Sequence, residues 1–264
     1  MTVAVGLLTH APDHPLLAGA AQVLRAGGHR VVPAGEGCDV VLLKARTPAA
    51  LEQARRLEES GTPVLNSAAS TGFCQDRVAM ARCARDAGLP FAETSHAGPV
   101  DRLAYRRPVV VKSRRSSKQD LVALVSSAQQ LAELAAQWPG EDVVVQEPAP
   151  ADGWDHKLWV VGGRLFAELR HSELADGPVR ASRSLDLDRL PDGYRELAFS
   201  CGEAFGLDVY GVDVLDAGGR PVVVDVNAFP GVRGQAGAPE ALAALALATA
   251  AGRHRPRRLP ESAA

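Results

Sequence analysis

The chain of 264 residues lacks an excess of charge of either sign, since 29 Lys and Arg stand against 31 Asp and Glu for a formal net charge of −2. That balance gives no global electrostatic footprint for nucleic acid. Its four cysteines, Cys38, Cys74, Cys83 and Cys201, form no C-x-x-C pair and no zinc spacing. A disulfide framework is not expected at this length, and a reducing compartment is the default. The most apolar long run, residues 238–251, is alanine-rich and too short to cross a bilayer. The first residues pass directly into Val-Ala-Val-Gly-Leu-Leu at 3–8, with no basic stretch leading a long apolar core, so no signal peptide is expected. No G-x-G-x-x-G follows that first apolar run; the loop there is Thr-His-Ala-Pro-Asp-His at 9–14, which excludes the dinucleotide fingerprint. Its two histidines, His10 and His14, have no third partner in the pattern and read as surface residues. These absences leave a cytoplasmic protein with neither a membrane nor a nucleic acid as partner.

What is present is apolar periodicity. The composition is 46% hydrophobic, enough for one large or several small subdomains. Residues 1–90 alternate short buried strands (3–8, 29–33, 39–44, 62–66) with helical stretches (15–26, 48–60, 71–87), the pattern of a parallel sheet covered by helices. Thr47-Pro48 is a helix start and Gly88 with Pro90 a helix stop. The pattern changes near 91. A strand at 108–113, a helix at 127–138 and a strand at 142–147 make a small α+β flap of residues 91–147. Residues 148–150, Pro-Ala-Pro, read as a hinge. A hairpin follows at 156–161 and 164–170, turning on Gly162-Gly163, where φ > 0 is needed at both centres. Residues 175–191 read as loop, 193–205 as helix, and 208–215 with 221–226 as a second hairpin. An alanine-rich helix starts near Pro239. Residues 253–264 are a short basic tail, expected to be disordered and solvated. The division is therefore 1–90, 91–147, 148–252 and the tail, of α/β and α+β class.

The second hairpin carries the chemistry. Asp225 and Asn227 are two apart and share one face. Asp213 joins that face only if it pairs with Asp225, which requires an odd-length loop centred near Gly219. The result is two carboxylates and an amide oxygen converging, a hard-oxygen set that suits Mg²⁺. A carboxylate inside an apolar strand needs a partner, because an unpaired buried charge is costly. Three further features point to one ligand. Lys112 ends a strand beside the polar loop Arg-Arg-Ser-Ser-Lys-Gln at 114–119, a phosphate cradle. Gln146 and Glu147 end a strand at the hinge, where carboxamide and backbone can hold a base edge. Asp155, Lys157 and Arg170 lie on the first hairpin. A nucleoside triphosphate needs such cations, with Mg²⁺ bridging its oxygens.

In order and spacing these features resemble the ATP-grasp superfamily over nearly the whole chain. The specific part is Gly211-Val212-Asp213 followed by Val224-Asp225-Val226-Asn227-x-x-Pro230-Gly231 and Val232-Arg233-Gly234. It is similar to the metal-binding signature of the RimK-type branch, which holds the ribosomal-protein glutamate ligase and the amino-group-carrier-protein ligases. Leu57-Glu58-Glu59-Ser60-Gly61 through Asn66 and Asp76-Arg77, the strand ending at Lys112, and the hairpin with Asp155, Lys157 and Arg170 extend the likeness. The resemblance implies an ATP-grasp fold, with an N-terminal α/β subdomain and two α+β subdomains sandwiching the nucleotide. It implies ATP and Mg²⁺ as cofactors: Arg77 and Lys112 at the phosphates, Gln146 and Glu147 at the adenine, and Asp213, Asp225 and Asn227 on Mg²⁺. Arg170 and Lys157 would stabilise the transferring phosphoryl group. The implied activity is ATP-dependent carboxylate–amine ligation through an acyl phosphate, with small-molecule or peptide substrates. The oligomeric state is left open, with a homodimer as one option. Three departures stand out. Arg77 replaces the usual lysine, the flap loop is serine-rich rather than glycine-rich, and Asp225 replaces the glutamate of many ligases. The last two, with Lys157, also resemble the inositol-polyphosphate kinase branch, whose members phosphorylate a hydroxyl. A nucleotide-binding module without catalysis is a third reading. Segments 174–183 and 233–238 are the candidate substrate walls, with Arg180, Arg183 and Arg233 able to face an anionic substrate.

Overall fold

The structure, a computed structural model, describes residues 1–117, 119–149, 152–175, 178 and 180–260. Among the described residues there are three sheets. The first is parallel, in the order β2-β1-β3-β4, from β1 (Ala4–Thr9), β2 (Arg30–Pro33), β3 (Val40–Lys44) and β4 (Val64–Leu65). Val40 to Leu43 are fully buried, as a strand covered on both faces requires. The connecting helices α1 (Pro15–Ala26) and α2 (Pro48–Glu59) begin at proline, and the Thr47 hydroxyl accepts from the Ala50 N–H as cap.

The expected single helix over 71–87 is two helices, α3 (Ala68–Phe73) and α4 (Arg77–Asp86). The break at 74–76 has a local cause. The Asp76 carboxylate accepts from the N–H groups of Val78 and Ala79, so it caps a new helix rather than continuing the old one. Ser67 caps α3 in the same way.

The second sheet is antiparallel, in the order β5-β8-β6-β7. It consists of β5 (Thr94–Pro99), β6 (Val109–Ser113), β7 (Val122–Val125) and β8 (Asp142–Gln146), with α5 (Ala128–Gln137) packed on Val111, Val125 and Val143. Strands β5 and β7 lack a strong sequence signal: β5 is half polar and ends in Gly98-Pro99, and β7, though apolar, is only four residues long.

The third sheet has the order β11-β10-β9-β12-β13. Its long strands are β9 (Trp154–Val161), β10 (Arg164–His171), β12 (Val209–Asp216) and β13 (Pro221–Ala228); β11 (Arg183–Ser184) lies inside the segment expected as loop. Gly162 and Gly163 have φ of 58° and 86°, as the two-residue turn demands. Leu158, Val160, Tyr210 and Val212 pack against α4 and α6 (Tyr194–Ala204). Tyr210 lies across Gly202, where a Cβ would come within 2.2 Å of its hydroxyl, and that hydroxyl donates to the Ala198 carbonyl. Helix α7 (Ala238–Ala250) joins this sheet to the first; Pro239 packs on Gly19 of α1, and Phe166, Val161 and Val209 share a core with Val5, Leu16 and Val40. Asn66 stitches the same seam: its amide donates to the Val209 carbonyl and accepts from the N–H groups of Asp208 and Val209.

The basic tail departs from expectation. Residues 253–260 dock: His254 and the Arg257 N–H bond the buried Asp208 carboxylate, and Leu259 packs on the core of the third sheet. A fixed acceptor, not local composition, orders this segment. Residues 261–264 lie outside the described residues, as do Lys118 of the flap loop and Pro150 of the hinge. All four cysteines are free and buried. Among the described residues no helix is long and apolar enough to cross a membrane.

Candidate active site

One face of the third sheet carries a ladder of charged side chains set by strand register. Glu168 on β10 faces Lys157 on β9, Lys157 faces Asp213 on β12, and Asp213 faces Asp225 on β13. The neighbouring rows are Arg170–Asp155–Leu215 and Trp159–Gly211–Asn227. The period of two puts His156 on the opposite face, buried edge-on against Tyr194.

Asp213 pairs with Asp225, but not through an odd loop. The turn between Asp216 and Pro221 holds four residues, and the odd residue is a bulge: after Asp213 with Asp225, Val214 pairs with Val223, leaving Val224 extra. The bulge has identifiable causes. Val223 turns its backbone to the segment before β5, donating to the Pro90 carbonyl and accepting from the Ala92 N–H. The Val224 carbonyl is thereby freed toward the second sheet, where it accepts from Lys112 Nζ at 3.0 Å and Gln146 Nε2 at 3.4 Å.

Like charges directly opposite on a ladder repel, and here each carboxylate has a cation. Lys157 Nζ lies 2.6 Å from Asp213 Oδ2, and Arg77 Nη2 lies 3.6 Å from Asp225 Oδ2. The Asn227 amide is 3.5 Å from Asp225 Oδ2. The protein thus places positive charge where a divalent cation would sit among hard oxygen donors, and this donor set fits Mg²⁺. Among the described residues no group of three or more His, Cys, Asp or Glu side chains is placed to hold a metal; the amide oxygen of Asn227 would have to be the third ligand.

The electrostatics follow from burial. Burial opposes the charge on Lys157, but the adjacent Asp213 outweighs it and holds the ammonium above its ordinary range. For Lys112 burial wins over the pull of Asp225, and its pKa is lowered. Burial raises Asp155, only partly offset by Lys157. At the flap base burial pushes the Asp76 carboxyl up, but Arg114 and two helix N–H groups hold it below its usual value.

The nine residues that the resemblance assigns to ATP, Mg²⁺ and the transferring phosphoryl group all line one cavity of about 240 Å³ between the second and third sheets: Arg77, Lys112, Gln146, Glu147, Lys157, Arg170, Asp213, Asp225 and Asn227. Their contacts refine the expectations. The Gln146 carboxamide is spent within the protein, on Thr94 Oγ1 and the Val224 carbonyl. Glu147 pairs with Arg107 across the rim. Arg77 is buried rather than free, on Asp120 at 2.8 Å and the Ser113 carbonyl at 2.6 Å. Arg170 is exposed and pairs with Glu173.

A second cavity of about 940 Å³ adjoins the first and shares Arg46, Ser116, Ser117, Lys157, Arg170, Asp213 and Asn227 with it. Its far wall is the loops after β1 and β3, the point where strand order reverses in the parallel sheet. His10 and His14 line its mouth, His10 exposed to solvent as a surface residue would be and His14 half-buried. Of the candidate substrate walls, Leu174 reaches the smaller cavity, and Ser182 and Arg233 the larger. Arg180 and Arg183 do not face either; both guanidiniums stack on Trp154. Residues 176, 177 and 179 of that wall are outside the described set. Sequence reading missed Arg46 and Asp120, although Asp120 is the lone acid closing a basic loop, a usable signal.

A family model described as the RimK-like ATP-grasp domain matches residues 86–244. The chain is 29% identical over 193 residues to a probable alpha-L-glutamate ligase of Teredinibacter turnerae, covering 68% of this chain and 64% of that protein, less than two thirds of its length. Among solved structures, the RimK domain ATP-grasp protein of Sphaerobacter thermophilus superposes with a TM-score of 0.72 at 24% identity, covering 93% of this chain and 100% of the other. D-alanine–D-alanine ligase of Bacillus anthracis, solved in complex with ATP, gives 0.71 at 14% identity over 96% of this chain and 100% of the other. At these identities the structural likeness establishes the ATP-grasp fold.

Proposed function

The chain belongs to the RimK-like ATP-grasp family, and from that premise we propose that it is an ATP-dependent carboxylate–amine ligase. The observation that carries this is the convergence of nine residues, from the second and third sheets and the start of α4, on one cavity that opens into a larger one. ATP takes the smaller cavity, with Gln146 and Glu147 at the adenine end and Lys112 and Arg77 toward the phosphates. Mg²⁺ held by Asp213, Asp225 and Asn227 would neutralise phosphate oxygens. Lys157 and Arg170 stand where the two cavities meet, and there they stabilise the γ-phosphoryl group in transfer. An oxygen of the substrate carboxylate attacks the γ-phosphorus, the bond to the β–γ bridging oxygen breaks, and ADP leaves. The amine then attacks the acyl phosphate carbon, expelling phosphate and forming the amide. The protein contributes position and charge, with no covalent bond to itself.

The larger cavity, about 940 Å³, holds both substrates, and its size suits a peptide or a comparably large acid. The naming of the T. turnerae relative makes L-glutamate the first substrate to test. The functional division is 1–90, 91–147 and 148–252, and the setting is cytoplasmic.

The test supplies ATP, Mg²⁺, L-glutamate and a panel of amino acids and peptides. ADP and phosphate release that needs both substrates, with an amide product by mass, is the expected result. A phosphorylated product would instead make the protein a kinase. Asp225→Ala should abolish turnover with an unchanged circular dichroism spectrum; wild-type rates in that variant would remove Asp225 from the site.

A further inference from the structure

Arg77 is held on three sides, and the three holds belong to different parts of the fold. It is the first residue of α4. Its guanidinium donates to the Ser113 carbonyl at 2.6 Å and pairs with Asp120 at 2.8 Å; both residues belong to the second sheet's hairpin, at the two ends of the loop over the phosphate region. The loop base is closed by Ser113 and Leu121, whose backbone and side-chain bonds face one another at 2.9 Å. On its other side the guanidinium lies 3.6 Å from Asp225, across on β13. Arg77 and Asp120 are largely out of water, and neither Arg77 Nε nor Asp120 Oδ2 has a partner of hydrogen-bond geometry, so their 2.8 Å contact is an ion pair. One guanidinium therefore serves two carboxylates unequally, close to Asp120 and loosely to Asp225.

We propose that Arg77 is a resident counter-charge for the metal carboxylate, and that Asp120 is the positioning residue that lets Arg77 yield Asp225 to a divalent cation. The inference rests on reading Asp225 as a metal ligand. Without the metal, two opposed carboxylates on adjacent strands need cations, and Arg77 supplies the one for Asp225. When a divalent cation reaches Asp225, the guanidinium becomes a like charge beside it. A buried arginine with no second anion would resist that exchange. Asp120 already holds Arg77 at 2.8 Å, so the exchange needs only the loosening of the longer contact. Because Asp120 and Ser113 frame the loop, the same exchange tightens Arg77 onto the loop base. Metal arrival is in this way transmitted to the base of the loop between β6 and β7.

Removing the charge of Asp120 leaves Arg77 with Asp225 alone, in competition with the metal. The experiment measures ADP affinity by calorimetry across a series of Mg²⁺ concentrations, for the wild-type chain and for Asp120→Asn. The Mg²⁺ concentration giving half of the effect should rise about tenfold in the variant, a coupling of ordinary size between adjacent sites, while ADP affinity without Mg²⁺ stays within twofold. Asp120→Glu, which keeps the charge, should restore the wild-type Mg²⁺ dependence; a merely structural role would not follow the charge in this way. Should Asp120→Asn not fold, Arg77→Gln carries the test with the opposite sign: the competitor is gone, and the half-effect concentration should fall. An unchanged Mg²⁺ dependence in the folded variant, or an equal loss with and without Mg²⁺, overturns the inference. A wild-type chain whose ADP affinity ignores Mg²⁺ would overturn instead the reading of Asp225 on which it rests.

Discussion

Lys157 and Asp213 approach to 2.6 Å while both are largely removed from water. That contact holds together a face on which Asp155, Asp213 and Asp225 would otherwise repel. Lys157→Met keeps the aliphatic stem and removes the charge, so Asp213 is left facing Asp225 with no near cation of its own. We expect the variant to lose about 2–3 kcal/mol of stability in metal-free buffer, the order for stranding a partly buried charge. Millimolar Mg²⁺ should return part of that loss, and should raise the melting temperature more than it does for wild type. Equal shifts in both proteins would mean that the metal does not occupy this pair. At this scale the sequence was informative because parity is: Asp225 and Asn227 must share a face, and Asp213 in an apolar strand must find a partner. Asp120 and Arg46 escaped notice because each sits in a loop, where no period assigns a direction. The engagement of Arg77 by Asp120 is likewise a contact across 43 residues of sequence that no local pattern encodes.

At the level of elements, helix starts set by proline or a hydroxyl cap were legible, while the break between α3 and α4 and the strand irregularities were not. The start of α1 and the caps of α2 and α5 follow from proline, threonine and serine acting on their own turns. The bulge at Val224 follows instead from partners outside the hairpin: Pro90 and Ala92 in the segment before β5, Lys112 on β6 and Gln146 on β8. A sequence reader can infer that an odd residue is needed and still put it in the loop. Strand β9 illustrates a second consequence of alternation. Asp155 and Lys157 face the cavity, and His156 between them is driven into the core beside Tyr194 and near Asp216 and Asp152. Burial depresses the imidazole's pKa below its ordinary 6.5, with the surrounding carboxylates opposing only in part. A depressed folded-state pKa contributes stability that is present above 6.5 and lost as pH falls through the folded value. Asp155, raised by burial, works the other way, its charged form being the disfavoured one, but it does so nearer the carboxylate range. Urea unfolding of wild type should therefore show stability falling as pH drops below 6.5, by up to about 1.4 kcal/mol per pH unit for one proton. His156→Phe should flatten that slope; an unchanged slope would place the proton uptake elsewhere.

For the molecule as a whole, the parallel sheet and the two hairpins were legible because periodicity and turn chemistry are local properties. The seam between first and third sheets was not, since both its shared core and its polar contacts join residues far apart in the sequence. Asn66 bonds the backbone of Asp208 and Val209, and on the far side of the same segment Asp208 receives His254 and the Arg257 N–H. Six residues from 253 to 258 include four arginines and a histidine, a composition that reads as solvated. Here it closes over a carboxylate that is 1% exposed. Arg257 also donates to the Leu207 carbonyl, and Gly206 leaves room for the backbone at Arg258, where a Cβ would meet its carbonyl carbon at 2.4 Å. Removing everything after Gly252 would strip Asp208 of its imidazole and its backbone donor and uncover the core beneath Leu259. Stranding one partner of a buried pair costs about 3–5 kcal/mol, and water entering the opened site would keep the loss near the lower end. For a chain of this size that corresponds to a melting temperature lower by about 6–12 °C. Asp208→Asn in the untruncated 264-residue chain, which keeps one acceptor oxygen for these donors, should lose less than half as much. Comparable losses in the two variants would assign the effect to the carboxylate alone; a truncated chain as stable as wild type would show that residues 253–260 rest on the surface without holding it.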